Sequence, residues 1–369
     1  MKQFDRIIFC HKPNTHFTYG GITLADNRIR EALKALSDDV IDIDLFMINY
    51  DVNHITKYMA LSRTIYKNYT YESFKKIEEA ILPNMNCLLF ISHSSYGTLI
   101  KAIKKKHKTL YVLTHFHNIE ITMAYNRLFK MHMPGGFFEL LRDYRSERLV
   151  KRYSDGILLL NKRDAEVFKK YYGERRYTIF PITIIDRCPS LEIKPHAGNL
   201  KLLFVGTYFW GNVPGLIQFV EQVMPKVDAH LYIVGKDMEK VAKQIPQLEN
   251  VTIVGRVDDE TLDRYYMDSD IVIAPVLTGG GMKTKVAEAM MYGKPVIGTV
   301  EAFCGYEFNP KEIGFISDNI ADYKQFIDAL SKDRELLMQL SEKARSIYER
   351  GYSMKRSIEI LESLFEEKQ

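Results

Sequence analysis

Residues 274–299 read APVLTGGGMKTKVAEAMMYGKPVIGT, and this stretch decides the fold that we expect. An apolar run typical of a buried strand ends at Pro275, three glycines follow, and a helix is expected to start near Met282 or Lys283. A Gly-Lys-Pro triplet then ends the helix, and Val296–Thr299 is expected to form the next strand. The sequence therefore predicts a strand–helix–strand unit, and units of this kind build parallel sheets.

The same alternation of short apolar runs and longer helical segments occurs in both halves of the chain. The predicted strands are Arg6–Cys10, Val40–Phe46, Cys87–Ser92, Thr109–Leu113 and Gly156–Leu160 in the first half, and Lys201–Val205, His230–Val234, Val251–Val254, Asp270–Ala274 and Val296–Thr299 in the second. We therefore expect an α/β protein with two doubly wound domains, whose ligands lie at the carboxyl ends of the strands.

One break in this pattern sets the predicted domain boundaries. Residues 186–200 contain two prolines and a glycine, which indicates a linker. Residues 1–185 then form an N-terminal domain and residues 201–350 a C-terminal domain. A C-terminal helix is expected over 351–369, and a return of this helix to the N-terminal domain is one option.

The triple glycine has the chemistry of a diphosphate site. Gly279–Gly281 allow backbone N–H groups to approach a ligand, and the helix N-terminus adds partial positive charge at the same point. Lys283 and Lys285 add full charges, and Glu288 shares a helix face with Lys285. A carboxylate there can accept hydrogen bonds from both hydroxyls of a ribose. The alternative is a tight turn with a Glu/Lys surface pair, but the whole combination favours a nucleotide site.

Composition excludes several classes of protein. The chain has 369 residues, of which 46% are hydrophobic and 27% charged, as in globular proteins. Its four cysteines form no C-x-x-C pair, so we expect neither disulfides nor a metal site. We expect no signal peptide and no membrane-spanning run, which predicts a cytoplasmic location. Residues 1–185 carry 29 Lys and Arg against 19 Asp and Glu, which indicates an anionic partner.

The stretch around Glu288 resembles the GT-B glycosyltransferases of family 4, or glycosyl transferases group 1. Their common motif places seven residues between two Glu residues and continues with A-x-A-x-G-x-P-V. Glu288 and the A-M-M-Y-G-K-P-V after it match the second part, whereas the first Glu would fall at Gly280 and is absent. The chain is similar to a subgroup that reads G-x-G-M-K-x-K-x-x-E-A. This resemblance implies a GT-B fold, with two Rossmann-like domains facing across a cleft, and a nucleotide-sugar donor without metal or other cofactor.

The resemblance also implies which residues in the second half hold the donor. Glu288 would contact the nucleotide ribose, while Lys283 and Lys285 would neutralise the diphosphate, and we count Lys283 and Glu288 among the catalytic residues. The other substrate-binding residues implied here are Gly206, Thr207, Asn212, Gly255, Arg256, Val257, Gly280, Gly281, Met282 and Thr284.

In the first half, the matching residues follow two of the predicted strands. Gly20 and Gly21 form a glycine loop of the kind that the family places near the transferred sugar, with an ordinary turn as an equal alternative. His117 is expected to be catalytic, either hydrogen-bonded to the transferred sugar or beside the reacting centre. His115 and Glu120 are expected as further substrate contacts. A retaining transfer needs no separate base, whereas an inverting one would use His117 or Glu120.

These features predict a glycosyltransferase that moves a sugar from a nucleoside-diphosphate sugar to a glycan or lipid-linked acceptor. The expected setting is the synthesis of bacterial surface polysaccharide, such as capsule or O-antigen, with retention of stereochemistry. Two alternatives remain. One is a non-catalytic GT-B-like partner subunit, which the absent first Glu favours, and the other is a nucleotide-sugar epimerase.

A second segment bears on the location of the protein. Residues 125–153 mix aromatic, apolar and basic side chains, and Lys101–Lys108 adds five lysines. Segments of this composition dock on anionic lipid head groups, which predicts a peripheral contact with the inner face of the cell membrane. The alternative is a core-packing helix with a solvated basic face. Because no nucleic-acid-binding motif is present, we do not expect nucleic acid as a partner.

Overall fold

The computed structural model describes residues 2–12, 21–45, 69–130, 132, 136–188, 191, 198–279 and 281–366. The chain divides into two compact units. Residues 1–181 and 357–369 form the first unit, and residues 182–356 form the second. Of the predicted linker, residues 189–190 and 192–197 lie outside the described residues.

The first unit contains a parallel sheet built from short, buried apolar strands. Among the described residues, its strands are β1 (Arg6–His11), β2 (Val40–Asp44), β3 (Cys87–Ile91), β4 (Tyr111–Phe116), β5 (Gly156–Leu159) and β6 (Thr178–Ile179). They lie in the order β2-β1-β3-β4-β5-β6. The chain order therefore reverses between β1 and β3, and the carboxyl ends of strands at such a reversal form a crevice for ligands.

Amphipathic helices cover this sheet because their apolar faces pack on the buried strands. The described α-helices of the first unit are Gly21–Leu33, Tyr71–Ala80, Gly97–Lys106, Glu120–Tyr125, Gly136–Tyr153 and Lys162–Tyr172. A π-helical turn over Asn126–Lys130 follows the fourth of them.

The second unit repeats the same architecture. Its described strands are β7 (Leu200–Val205), β8 (Ala229–Val234), β9 (Val251–Gly255), β10 (Ile271–Ala274), β11 (Val296–Gly298) and β12 (Gly314–Ile316). They pair in parallel in the order β12-β11-β10-β7-β8-β9, so the reversal lies between β7 and β10. Its described α-helices are Val213–Gln222, Asp259–Asp268, Thr284–Met291, Tyr323–Lys332 and Arg334–Gly351.

The last helix, Met354–Glu366, begins in the second unit and continues into the first. Its Phe365 packs edge-on against two aromatic rings of the first unit, with centroids 4.8 Å from Phe4 and 5.5 Å from Tyr111. Aromatic pairs in this geometry stabilise packing beyond the area that they bury. The C-terminal segment is therefore an integral part of the first unit's core.

The prediction of an α/β protein built on parallel sheets is confirmed. The sequence patterns missed β6 and β12, because runs of two and three residues are too short to show a period. Within the described residues, we find no helix that is both long enough and apolar enough to cross a bilayer.

Candidate functional site

A glycine lies at or directly after the carboxyl end of three strands of the second sheet, β7, β8 and β9. The Gly206 amide donates to the Val234 carbonyl at 3.0 Å, and the Gly235 amide donates to the Gly255 carbonyl at 2.8 Å. Gly235 has φ +144° and Gly255 has φ +77°, which are conformations that side-chain-bearing residues rarely adopt. These two bonds hold the loops that follow β7, β8 and β9 together at the carboxyl edge of the sheet.

We expect Gly235→Ala to destabilise the second unit. A Cβ at Gly235 would lie 1.8 Å from the Gly206 carbonyl oxygen, and the backbone conformation there is itself unfavourable for alanine. The expected loss is at least about 2 kcal/mol of unfolding free energy, measured by urea denaturation. Gly351→Ala is the control, because open space surrounds Gly351 at its helix end. Equal stability of the two variants would contradict this prediction.

Lys285 lies buried at this edge, only 8% exposed, in the helix Thr284–Met291. Its ammonium donates to Asn212 Oδ1 at 3.0 Å and lies 4.4 Å from the centre of the Phe204 ring. A Cβ at Gly206 would come within 3.2 Å of the same nitrogen. Burial, and secondarily the charge of Lys283, lowers the pKa of Lys285 to about 7. The site therefore holds a cation that gains from an anionic ligand.

Glu288 is also buried and lies further along the same helix. Its Oε2 accepts a hydrogen bond from the Tyr266 hydroxyl at 3.1 Å. The Tyr266 ring stacks on Tyr292 with centroids 5.0 Å apart, which fixes the hydroxyl that donates to the carboxylate. Arg187 holds the second ring of this pair, since its Nε donates to the Tyr292 hydroxyl at 3.3 Å. Glu288 is thus held in one orientation by a packed aromatic pair.

Lys283 differs from the prediction in one respect. Its ammonium pairs with Glu301 Oε1 at 2.7 Å and donates to the Gly281 carbonyl at 3.0 Å. Gly281 has φ +62°, so it folds the loop back over the lysine. Sequence reasoning did not identify Glu301, which lies beyond the next strand. The carboxylate offsets part of the positive charge that we had expected Lys283 to present to a diphosphate.

The other predicted donor residues fall around the same loops. Asn212 bonds both Thr207 and Lys285, because its Nδ2 donates to the Thr207 carbonyl at 3.0 Å while its Oδ1 accepts from the Lys285 ammonium. Met282 is buried, and Thr284 is the first residue of the helix. The side chain of Arg256 is exposed and that of Val257 half-buried, just after β9. Gly280 and Gly20 lie outside the described residues, and Gly21 is the first residue of the helix Gly21–Leu33.

The first unit has a buried polar cluster at its own strand reversal. His117 Nε2 lies 2.9 Å from Ser92 Oγ, and the Ser92 hydroxyl donates to Asp26 Oδ1. Because the Ser92 proton points to Asp26, Ser92 Oγ accepts from His117, which places the His117 proton on Nε2. Asp26 is 2% exposed, and its Oδ2 has no hydrogen-bond partner among the described residues. These two hydrogen bonds, from His117 to Ser92 and from Ser92 to Asp26, form a relay. The relay leaves Nδ1 of His117 without a proton and able to accept a hydrogen bond.

A second set of charges lies beside this relay. His93 Nε2 is 2.7 Å from Lys12 Nζ and 3.6 Å from Glu120 Oε1. Burial lowers the pKa of His93 well below its ordinary value, lowers that of Lys12, and raises that of Glu120. Burial also lowers the pKa of His115, whose two ring nitrogens have no hydrogen-bond partner in the described part of the chain. The predicted residues His115, His117 and Glu120 are therefore gathered at one strand edge.

Glu147 fixes the start of the helix that carries Glu120. Its carboxylate accepts from the Glu120 amide at 2.8 Å, from the Ser94 hydroxyl at 2.9 Å and from the Tyr172 hydroxyl at 2.6 Å. Burial raises the pKa of Glu147 to about 8, against the lowering effect of these donors. Glu147 thus positions the loop between β4 and the helix Glu120–Tyr125.

Sequence reasoning missed several members of the two clusters. In the first unit these are Lys12, Asp26, Ser92, His93 and Glu147, and in the second Tyr266 and Glu301. A signal existed for Ser92 and His93, because they directly follow β3 just as His117 follows β4. Among the described residues, no group of His, Cys, Asp and Glu has a geometry that could hold a metal ion.

Comparisons of the sequence find a family match in the second unit and two partial relatives. Residues 199–333 match the family description "Glycosyl transferases group 1". An "Uncharacterized 44.6 kDa protein in cps region" of Klebsiella pneumoniae is 24% identical over 243 residues, which cover 63% of this chain and 60% of that protein. An "Uncharacterized glycosyltransferase" of Haemophilus influenzae is 29% identical over 178 residues, or 44% of this chain and 47% of that protein. The chain therefore spans only part of the length of both relatives.

Comparison of the structure covers almost the whole chain. The crystal structure of Alr3699/HepE from Anabaena, in complex with UDP and glucose, matches with a TM-score of 0.69 at 13% identity, over 98% of this chain and 99% of that one. The two parallel sheets with flanking helices match those of GT-B glycosyltransferase structures, which confirms the prediction of an α/β protein with two such domains.

Proposed function

We propose that this protein is a glycosyltransferase that moves a sugar from a nucleoside-diphosphate sugar to a glycan or lipid-linked acceptor. The observation that carries the proposal is the buried ammonium of Lys285 beside Gly206 and Asn212. Among the described residues, no carboxylate lies within ion-pair distance of this nitrogen. A buried cation without a carboxylate partner is unfavourable, and a diphosphate at the glycine edge offsets that cost.

The chemistry of sugar transfer matches the groups present. As the bond to the sugar breaks, negative charge grows on the departing phosphate, and the Lys285 ammonium stabilises that charge. Glu288 accepts hydrogen bonds from the ribose hydroxyls, oriented by Tyr266. We propose the first unit's polar cluster as the acceptor site, where His117 Nδ1 accepts a hydrogen bond from a sugar hydroxyl.

The finer features of the reaction follow from the same evidence. We propose UDP as the first nucleotide to test, because Alr3699/HepE was crystallised with UDP and glucose. The Klebsiella pneumoniae relative is described from a cps region, which supports a role in surface polysaccharide synthesis. We propose retention of stereochemistry, a cytoplasmic location, and peripheral contact with an anionic membrane through the residues 125–153.

A nucleotide screen tests the donor assignment. The protein is heated with UDP, GDP, ADP or CMP and with the matching nucleotide sugars, and its melting temperature is recorded. A ligand at about 100 times its dissociation constant should add roughly 2.7 kcal/mol of stability. Glu288→Gln keeps the side-chain shape and should lose most of this effect. Failure of every nucleotide to stabilise the protein would contradict the proposal and favour a non-catalytic partner subunit, whereas conversion of the donor without any acceptor would favour an epimerase.

A further inference from the structure

A groove of about 1000 Å³ lies on the first unit. One wall is the helix Gly136–Tyr153, and the other is the segment around Tyr172–Arg175. Five cationic side chains contribute to its lining: Arg145, Arg148, Lys151, Arg152 and Arg175. Two tyrosines and two leucines supply the remaining apolar surface, so the groove is both basic and partly apolar.

Carboxylates do not neutralise most of these cations. In the described part of the chain, Arg148, Lys151, Arg152 and Arg175 form no ion pair. The single acidic residue of the lining is Glu174, and its carboxylate is paired with Lys169 at 2.6 Å. A concave surface with several uncompensated positive charges attracts polyanionic ligands.

The cations are instead held by neutral groups. Lys151 Nζ donates to the Tyr172 carbonyl, and Arg175 Nη2 donates to the Ser154 carbonyl at 2.8 Å. The Arg148 guanidinium lies 5.5 Å from the centre of the Tyr144 ring. Contacts with carbonyl oxygens and rings orient these side chains while leaving their full charge available.

The helix itself separates its charges by face. Asp143 and Glu147 are fully buried on the inner face, whereas Arg148 and Arg152 are exposed on the outer face. Leu141, Arg145, Arg148 and Arg152 are three or four residues apart, so they form one stripe of the helix along the groove. The two buried acids Asp143 and Glu147 therefore lie on the opposite side of the helix from the exposed Arg148 and Arg152.

An exposed apolar patch continues the groove at its N-terminal end. Tyr125 is 44% exposed, Phe129 56%, Phe137 50% and Leu141 39%, and Leu141 also lines the groove. The Tyr125 and Phe129 rings lie 4.6 Å apart, so this part of the patch is contiguous. Aromatic side chains of this kind insert at the boundary between head groups and acyl chains. Basic and aromatic surfaces that adjoin in this way suit an anionic membrane.

We propose that this groove binds the phosphate head group of an anionic membrane lipid, while the apolar patch of Tyr125, Phe129, Phe137 and Leu141 enters the interfacial layer. This assignment gives a location to the peripheral membrane contact of the proposed function and rests on it. The phosphate oxygens accept hydrogen bonds from the guanidinium and ammonium groups of the groove. The apolar patch beside the cations favours a lipid over a free phosphate, which has no apolar part to bury.

Vesicle binding by the full chain tests this inference. Vesicles of phosphatidylcholine alone, or of phosphatidylcholine mixed with phosphatidylglycerol, are sedimented with the protein. We expect binding only to the anionic vesicles, and weaker binding as salt is added. The double variant Arg148→Glu/Arg152→Glu should bind at least about 30-fold more weakly, since each cation near a membrane surface contributes about 1 kcal/mol. Phe129→Ser/Phe137→Ser should also weaken binding without changing the net charge.

The control reverses two exposed lysines of the second unit, Lys243→Glu/Lys332→Glu, which gives the same change in net charge. Equal binding by the groove variant and this control would overturn the inference. So would binding of inorganic pyrophosphate or of RNA to the groove with no binding to anionic vesicles. Nucleotide stabilisation is measured on every variant to verify folding. If nucleotides fail to stabilise the wild type while anionic vesicles still bind, the donor assignment is contradicted. If the wild type does not bind vesicles but is stabilised by a nucleotide, only the lipid site is contradicted.

Discussion

Lys285→Met should abolish tight binding of the nucleotide sugar while stabilising the empty protein. The ammonium is buried beside Gly206. We expect its loss to weaken donor binding by about 100-fold, which corresponds to roughly 2.7 kcal/mol. In the absence of ligand, burying this charge is unfavourable, so its replacement by an apolar side chain of similar length should add about 2 kcal/mol of stability at neutral pH. Calorimetric titration and urea denaturation measure the two effects.

The pH dependence of binding identifies the same group. Only protonated Lys285 attracts the diphosphate, and its pKa in the folded protein is about 7. Donor affinity of the wild type should therefore be highest below pH 7 and fall as pH rises through that value. Lys285→Arg keeps its charge across this range, so its affinity should not fall in the same way. A nucleotide sugar is the appropriate ligand, because its diphosphate has no terminal group that titrates near neutrality.

The free energy of unfolding should depend on pH in the opposite direction to donor affinity. The folded pKa of Lys285 lies below its ordinary value of 10.5, so the unfolded chain binds more protons between about pH 7 and 10.5. The unfolding free energy of the wild type should therefore rise with pH over this window relative to Lys285→Met. Lys294→Met is the matched control, because burial also lowers the pKa of Lys294, to about 8, but its ammonium bonds the Met267 carbonyl instead. Loss of donor binding in that control would contradict the assignment to Lys285.

The two candidate clusters differ in how far the sequence could predict them. The donor residues from Gly281 to Glu288 follow one another along a loop and one helix, so their spacing alone places them on a common surface. Glu301 and Tyr266 join them through contacts across 18 and 22 residues, which no local pattern encodes. The partners of His117 are more distant still, since Asp26 lies 66 residues before Ser92. Only the strand order of the sheet brings these segments together.

This difference also explains which roles the resemblance could and could not supply. A motif specifies residues on one segment, whereas a hydrogen-bond relay depends on the register of several strands. His117 was identifiable because it follows a buried strand, yet its protonation is set by Ser92 and Asp26. The direction of those two hydrogen bonds excludes Ser92 as a nucleophile activated by His117, because the serine proton is already given to Asp26.

Asp26→Asn should lower the rate of sugar transfer by about 100-fold with little change in donor affinity, and His117→Ala should lower it by roughly 100- to 10,000-fold. In the wild type, the Asp26 carboxylate accepts the Ser92 proton, which keeps the His117 proton on Nε2. An asparagine amide in that place can donate to Ser92, and the Ser92 hydroxyl would then donate to His117. The ring would carry its proton on Nδ1, where it no longer accepts a hydrogen bond from the substrate.

Two measurements distinguish this positioning role from a general loss of structure. The ¹⁵N chemical shifts of His117 should report a protonated Nε2 in the wild type and a protonated Nδ1 in Asp26→Asn. Ser92→Ala removes the relay and should lower kcat, whereas Ser92→Thr keeps the hydroxyl and should restore most of it. The donor KM should stay within a few-fold throughout, because Lys285 and Glu288 belong to the other unit. An unchanged tautomer in Asp26→Asn together with a wild-type transfer rate would show that the relay does not set the chemistry of His117.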